Sequence, residues 1–221
     1  MRIRMPVLCL VSFISLLFAA SLAVGAELRV YVGDQDGKPV ADAVVTAMPV
    51  DTSKMQNIKP PDEVDQVDKE FVPRVKAVYV GSLVYFPNND NIRHHVYSFS
   101  PAKVFELPLY KGKTAPPVLF DKPGVVVLGC NIHDWMLGFI YVSDTPFFAK
   151  TQQDGMADLK GLPVGEYKLR LWHPGMGNSY VEGGRNATVT DGATVKIDWQ
   201  TALRSVFKIP RASPNQGTHY H

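Results

Sequence analysis

After residue 26 no stretch of this chain sustains the 3.6-residue apolar spacing of an amphipathic helix, so its core must be built from strands. From Phe71 onward, runs rich in β-branched and aromatic residues return roughly every 8 to 12 residues. They occupy residues 75–80, 84–86, 94–99, 118–120, 125–128 and 139–142. Clusters of turn formers, such as Pro87-Asn88-Asn89-Asp90 and Lys122-Pro123-Gly124, separate most of them. This spacing predicts an all-β sandwich or barrel.

The flanking segments carry the same signal in a different rhythm. Residues 28–32 alternate, Asp34-Gln35-Asp36-Gly37 turns, and residues 43–47 resume the apolar run, which predicts a hairpin-like pair. Residues 51–68 are polar, are broken by Pro60-Pro61 and carry Asp62, Glu63, Asp65 and Asp68; they read as a surface connection and a domain boundary. Beyond Pro146 a turn at Asp154-Gly155 precedes a long strand at residues 165–172 and two further candidates at 186–190 and 194–199. Residues 201–221 read as a flexible C-terminal tail.

The N-terminus is of another kind. Arg2 and Arg4 precede an apolar run from Pro6 to Val24, which ends in the small residues Gly25 and Ala26 before Glu27. The run approaches the roughly 20 residues of a membrane span, but the small-residue exit favours a secretory signal peptide over residues 1–26, and export to the periplasm. No later segment is long or apolar enough to span a bilayer, so no stable membrane insertion is expected after cleavage. Without the leader, 21 basic residues face 21 acidic ones, and this balance argues against nucleic acid as a partner. Cys9 leaves with the leader, and Cys130 alone cannot close an internal disulfide.

Cys130 stands in the most informative stretch, Gly129-Cys130-Asn131-Ile132-His133-Asp134-Trp135-Met136. The spacing Cys-x-x-His-x-x-Met lets one loop wrap a thiolate, an imidazole and a thioether around a single soft ion, and thiolate with thioether favours copper. Zinc gains little from a thioether. One more imidazole is needed, and the pair His94-His95 follows the Asn88-Asn89-Asp90 turn. Neighbouring side chains on a strand point to opposite faces, so only one of the two can reach the ion. Two His, one Cys and a weaker axial Met compose a blue-copper electron-transfer centre.

Residues 64–143 resemble a cupredoxin of the plastocyanin and amicyanin type. The resemblance rests on Phe71-Val72-Pro73, the run Val80-Gly81-Ser82-Leu83-Val84-Tyr85-Phe86-Pro87-Asn88, the triplet His94-His95-Val96 and the Cys130–Met136 loop. It implies a Greek-key β-sandwich over residues 64–146, with His94, Cys130, His133 and Met136 as ligands of one type 1 copper per chain. It further implies electron carriage without catalysis, with electrons leaving through His133, and a hydrophobic contact patch near Trp135 and Leu137. Partners on this reading are redox proteins, such as a c-type cytochrome or an amine dehydrogenase.

The whole chain is also similar to periplasmic proteins labelled methylamine utilisation protein. These join a cupredoxin to a carboxypeptidase-regulatory or transthyretin-like module. The residues concerned are Asp36-Gly37-Lys38-Pro39-Val40-Ala41-Asp42-Ala43-Val44-Val45, Asp154-Gly155 and Leu162-Pro163-Val164-Gly165-Glu166-Tyr167. The similarity implies a small prealbumin-like sandwich formed by residues 27–50 and 147–200, with the cupredoxin inserted between its parts. A copper chaperone or store is the competing reading. An oxidase or reductase would need further copper sites and more than the six histidines present. A carboxylate-ligated variant would draw on Glu63 or Asp65.

Overall fold

The computed structural model describes residues 26–55, 61–112, 115–177 and 181–204. The predicted signal peptide, apart from Ala26, and residues 205–221 of the predicted tail lie outside the described residues.

Strands are numbered along the chain. The first two, β1 (Glu27–Gly33) and β2 (Val44–Pro49), are followed by the short β3 (Asp62–Glu63), β4 (Asp65–Val67) and β5 (Glu70–Val72). Then come β6 (Val75–Tyr79), β7 (Ser82–Tyr85), β8 (His94–Ser100), β9 (Lys103–Tyr110), β10 (Val118–Phe120), β11 (Gly124–Gly129) and β12 (Leu137–Ser143). The last five are β13 (Phe148–Lys150), β14 (Met156–Lys160), β15 (Gly165–Trp172), β16 (Glu182–Val189) and β17 (Thr194–Gln200).

The larger sheets, in the orders β14-β1-β17, β13-β2-β15-β16, β6-β12-β11-β8-β9 and β10-β7-β3, stack to form an all-β sandwich architecture. The first two sheets close on a core that includes Leu28, Val30, Val45, Leu169, Leu171 and Trp199. The last two close on another, which includes Val84, Phe86, Val96, Phe120, Leu128 and Ile140. Between the two sandwiches Val44, Val75, Val125, Phe139, Tyr141 and Trp172 make a third apolar layer. The indole of Trp172 lies 5.9 Å from the Phe139 ring and 5.6 Å from the Tyr141 ring.

This junction explains two sequence runs that do not alternate. Val44-Val45-Thr46-Ala47 is buried throughout because β2 has a core on each face. Tyr141 faces the junction while Ile140 and Val142 face the other core, so β12 too reads as a continuous apolar strand.

Two expectations are corrected. Residues 27–50 do not form a hairpin: β1 pairs with β14 and β17, whereas β2 pairs with β13 and β15 in the facing sheet. The turn does form, with Asp34 Oδ1 accepting from the N–H groups of Asp36 and Lys38. The ladder reaches only a bridge between Gly33 and Pro39, where the Val40 N–H still donates to the Val32 carbonyl at 2.9 Å; the Val32 N–H goes instead to the Gly155 carbonyl at 2.8 Å, and Asp42, at φ 62°, turns the chain away. Nor are residues 51–68 merely a surface connection. From Asp62 they enter the second sandwich, with β3 parallel to β7 and both Val64 and Gln66 buried. Alternation over so few residues, amid acids, is too short to read as strand.

Candidate metal centre

Strands β11 and β12 are paired in register from Gly124↔Val142 to Gly129↔Leu137, so residues 130–136 form the loop of this hairpin. Cys130 follows the last paired residue of one strand and Met136 precedes the first of the other. Inside the loop the Met136 N–H donates to the His133 carbonyl at 2.9 Å, folding the imidazole back toward the cysteine. Strand β8 lies beside β11, with Tyr97 opposite Gly129. A Cβ on Gly129 would stand 2.7 Å from the Tyr97 ring, so glycine is what allows the two strands to approach here.

On β8, His94, Val96 and Ser98 face inward. The His94 Nδ1 lies 3.8 Å from the Cys130 Sγ, and the His133 Nδ1 lies 3.9 Å from the same sulfur. One ligand atom from each of the three residues falls within 4.8 Å of the others. The two rings stand 5.0 Å apart at 57°. All are enclosed: His94 is 0% exposed, Cys130 4% and His133 7%. Met136, 1% exposed, packs in the same core cluster as Cys130.

His95 points to the opposite face of β8, as strand alternation requires. Its Nε2 meets Glu106 Oε1 at 2.8 Å and its ring lies 5.6 Å from that of Tyr97. The structure thus brings together His94, Cys130 and His133, with Met136 beside them, and leaves His95 out. The carboxylates considered from sequence are elsewhere: Asp65 accepts from the Asn89 amide at 2.6 Å, and Glu63 is exposed on β3.

These donors fit a soft first-row ion. Ligands about 2.3 Å (sulfur) and 2.05 Å (nitrogen) from a common ion stand about 3.55 Å apart at the tetrahedral angle and about 3.8 Å apart when opened to roughly 120°. The observed 3.8 and 3.9 Å leave room for one such ion between the sulfur and each imidazole nitrogen.

Asp90 was not singled out by sequence. Its Oδ2 lies 2.6 Å from the His94 Nε2, while the Nδ1 of the same ring faces Cys130. The carboxylate also accepts the N–H groups of Asp68 at 2.7 Å and Lys69 at 2.9 Å. Those two residues are the loop of the β4–β5 hairpin, at φ 54° and 62°, the left-handed pair that two-residue hairpin loops favour. Burial opposes the carboxylate charge, but the Lys69 N–H, the His94 ring and the Asp68 N–H together hold Asp90 below the ordinary carboxylate value.

Asn88 ties down the same turn. It donates to the carbonyls of Ile92 at 2.9 Å and Tyr110 at 2.8 Å, and its Oδ1 accepts the Asp90 N–H at 3.0 Å. Burial pushes the Tyr110 hydroxyl up to about 12, so it remains a neutral donor to the Phe86 carbonyl while accepting from Gln66. Burial likewise lowers the His133 pKa below the ordinary imidazole value. The neutral, ligating form is therefore favoured.

No protein-family model matches the chain, and no curated protein matches it. Solved structures do match part of it. A copper-containing nitrite reductase from Thermus scotoductus SA-01 matches at 28% identity and a TM-score of 0.37, over 44% of this chain and 25% of that one. A purple cupredoxin from Nitrosopumilus maritimus matches at 22% identity and 0.33, over 37% of this chain and 99% of its own. A reduced Cu(I) form of an amicyanin variant matches at 20% and 0.35, over 45% and 98%. This chain spans a quarter of the nitrite reductase's length and nearly all of the two small proteins.

Proposed function

We propose that this protein is a periplasmic type 1 copper protein that carries single electrons between redox partners and performs no catalysis of its own. The observation that carries the reading is the buried convergence of the His94 and His133 Nδ1 atoms on Cys130 Sγ at 3.8 and 3.9 Å. Met136 is the axial ligand in this proposal. Copper held there supplies a one-electron couple, Cu(I)/Cu(II).

The chain's own residues do the rest. His94 lies on β8 and Cys130 directly follows β11 beside it, so these two donors are held by adjacent strands of one sheet, and donors that do not rearrange keep the cost of electron transfer low. The enclosing apolar side chains exclude water from the thiolate. His133 lies on the loop with Ile132, 47% exposed, beside it and the Trp135 ring 5.1 Å away. We assign the entry and exit of the electron to this rim, with Ile132 and Trp135 as the contact surface for a redox protein such as a c-type cytochrome or an amine dehydrogenase, whereas Leu137 is half-buried against the layer between the sandwiches. Residues 27–50 and 147–200 form the accompanying transthyretin-like module on this reading, and residues 1–26 direct export.

Copper loading of the protein, read by optical and EPR spectroscopy, tests the proposal. An intense thiolate-to-Cu(II) band that disappears in Cys130→Ser is expected. Stoichiometric Cu(I) binding without that band would support copper delivery or storage instead, and no copper binding would defeat both.

A further inference from the structure

We propose that Asp90 is a positioning residue for the metal centre. Its carboxylate, clamped by the β4–β5 turn, fixes the tautomer and orientation of His94 and sets part of the reduction potential. The inference rests on the copper reading but makes a separate claim about which group governs the ligand.

The geometry is specific. One carboxylate takes three hydrogen bonds, from the Asp68 N–H at 2.7 Å, the Lys69 N–H at 2.9 Å and the His94 Nε2 at 2.6 Å. The first goes to Oδ1 and the other two to Oδ2, so the group cannot rotate without losing partners. Its own N–H is held by Asn88, which is itself anchored to Ile92 and Tyr110. The strand carrying the ligand, the loop before it and the hairpin beside it thus meet at one side chain.

A carboxylate acceptor does two things that a neutral acceptor does less well. It keeps the proton on Nε2, so that Nδ1 always offers its lone pair toward Cys130, and it places negative charge behind the imidazole. Greater ligand basicity favours the more highly charged oxidised ion, so the carboxylate lowers the potential. The left-handed backbone at Asp68 and Lys69 is explained in the same way, because it aims two successive N–H groups at one oxyanion.

The test uses the whole mature protein in two states. In the copper-free protein, long-range proton–nitrogen NMR of the His94 ring is expected to show a single Nε2–H tautomer. In Asp90→Ala the ring is expected to exchange between tautomers. Copper-loaded Asp90→Asn is expected to favour Cu(I) over Cu(II) about tenfold more than the parent, a rise of about 59 mV for a one-electron couple. Asp90→Glu is expected to restore much of the parent potential.

An Nδ1–H tautomer in the parent protein would overturn the proposal even if no variant folded. So would an unchanged potential in a folded Asp90→Asn. The NMR result needs no copper, so a parent with the Nε2–H tautomer that bound none would sink the copper reading and leave the clamp standing.

Discussion

The two sandwiches of this molecule differ in where their buried polar side chains gather. In the first, buried polar groups serve the backbone. Thr151 accepts the Ala43 N–H at 2.9 Å and donates to the Val40 carbonyl at 2.7 Å, and Thr145 donates to the Ala47 carbonyl. In the second, Gln66, Asn88, Tyr110 and Asp90 form a hydrogen-bonded support around one end, and His94 and His133 occupy that end with Cys130. Similar cores can therefore carry very different chemistry. What differs is whether the hydrogen-bonded side chains stay dispersed along the strands or gather at one end around the imidazoles and the thiol.

The largest effect is expected at the layer that joins them. Trp172 is fully buried between the sandwiches, and Trp172→Ala should cost about 3–5 kcal/mol in denaturant unfolding. Because Trp172 touches neither hydrogen-bond network of the metal end, the copper spectrum of the folded variant should match the parent. A changed spectrum would mean that the junction shapes the site.

A matched pair sharpens the contrast further. Thr151→Val removes two hydrogen bonds to the backbone and Asn88→Ala removes three, and each should cost about 1–3 kcal/mol. The first should leave the copper band and potential untouched. The second should alter both, since Asn88 holds the loop that carries Asp90. Equal spectra for the two variants would erase the distinction drawn between the sandwiches.

The smallest effect is a pH dependence in the first sandwich. His173 caps the short helical turn Pro174–Met176 by accepting the Gly175 N–H at 3.0 Å, and burial holds its pKa below 6.5. As pH falls through 6.5 the unfolded chain takes up a proton that the folded one resists. This contribution to stability is thus full above 6.5, declines below it and levels off under the depressed folded value. In melting curves taken at a series of pH values, His173→Asn, which keeps an acceptor at the cap, should flatten that part of the profile relative to the parent. Identical profiles would show that His173 does not titrate in this way.

Much of this was legible from the residues. Runs such as 125–128 and 139–142 are strands because β-branched and aromatic side chains suit a pleated, buried surface, and the loop spacing of Cys130 and His133 already hints that the two side chains meet. The support around the site was not. Asp90 stands four residues before His94 in a turn of Asn and Asp that reads as ordinary loop chemistry. Asp68-Lys69 carries no glycine to mark its left-handed turn. Gln66 lies in a segment whose acids suggest open surface, yet it is fully buried.

The sequence by itself determined the all-β class and the loop that carries Cys130 and His133 three residues apart. Those features are local: period, turn chemistry and spacing act over a few residues. Only the tertiary structure decided that His94 rather than His95 faces the cysteine, that β1 and β2 part into opposing sheets, and that a hairpin turn clamps Asp90. Each of these depends on which strand lies beside which. That pairing is settled by how several apolar faces pack together at once, and no single segment encodes it.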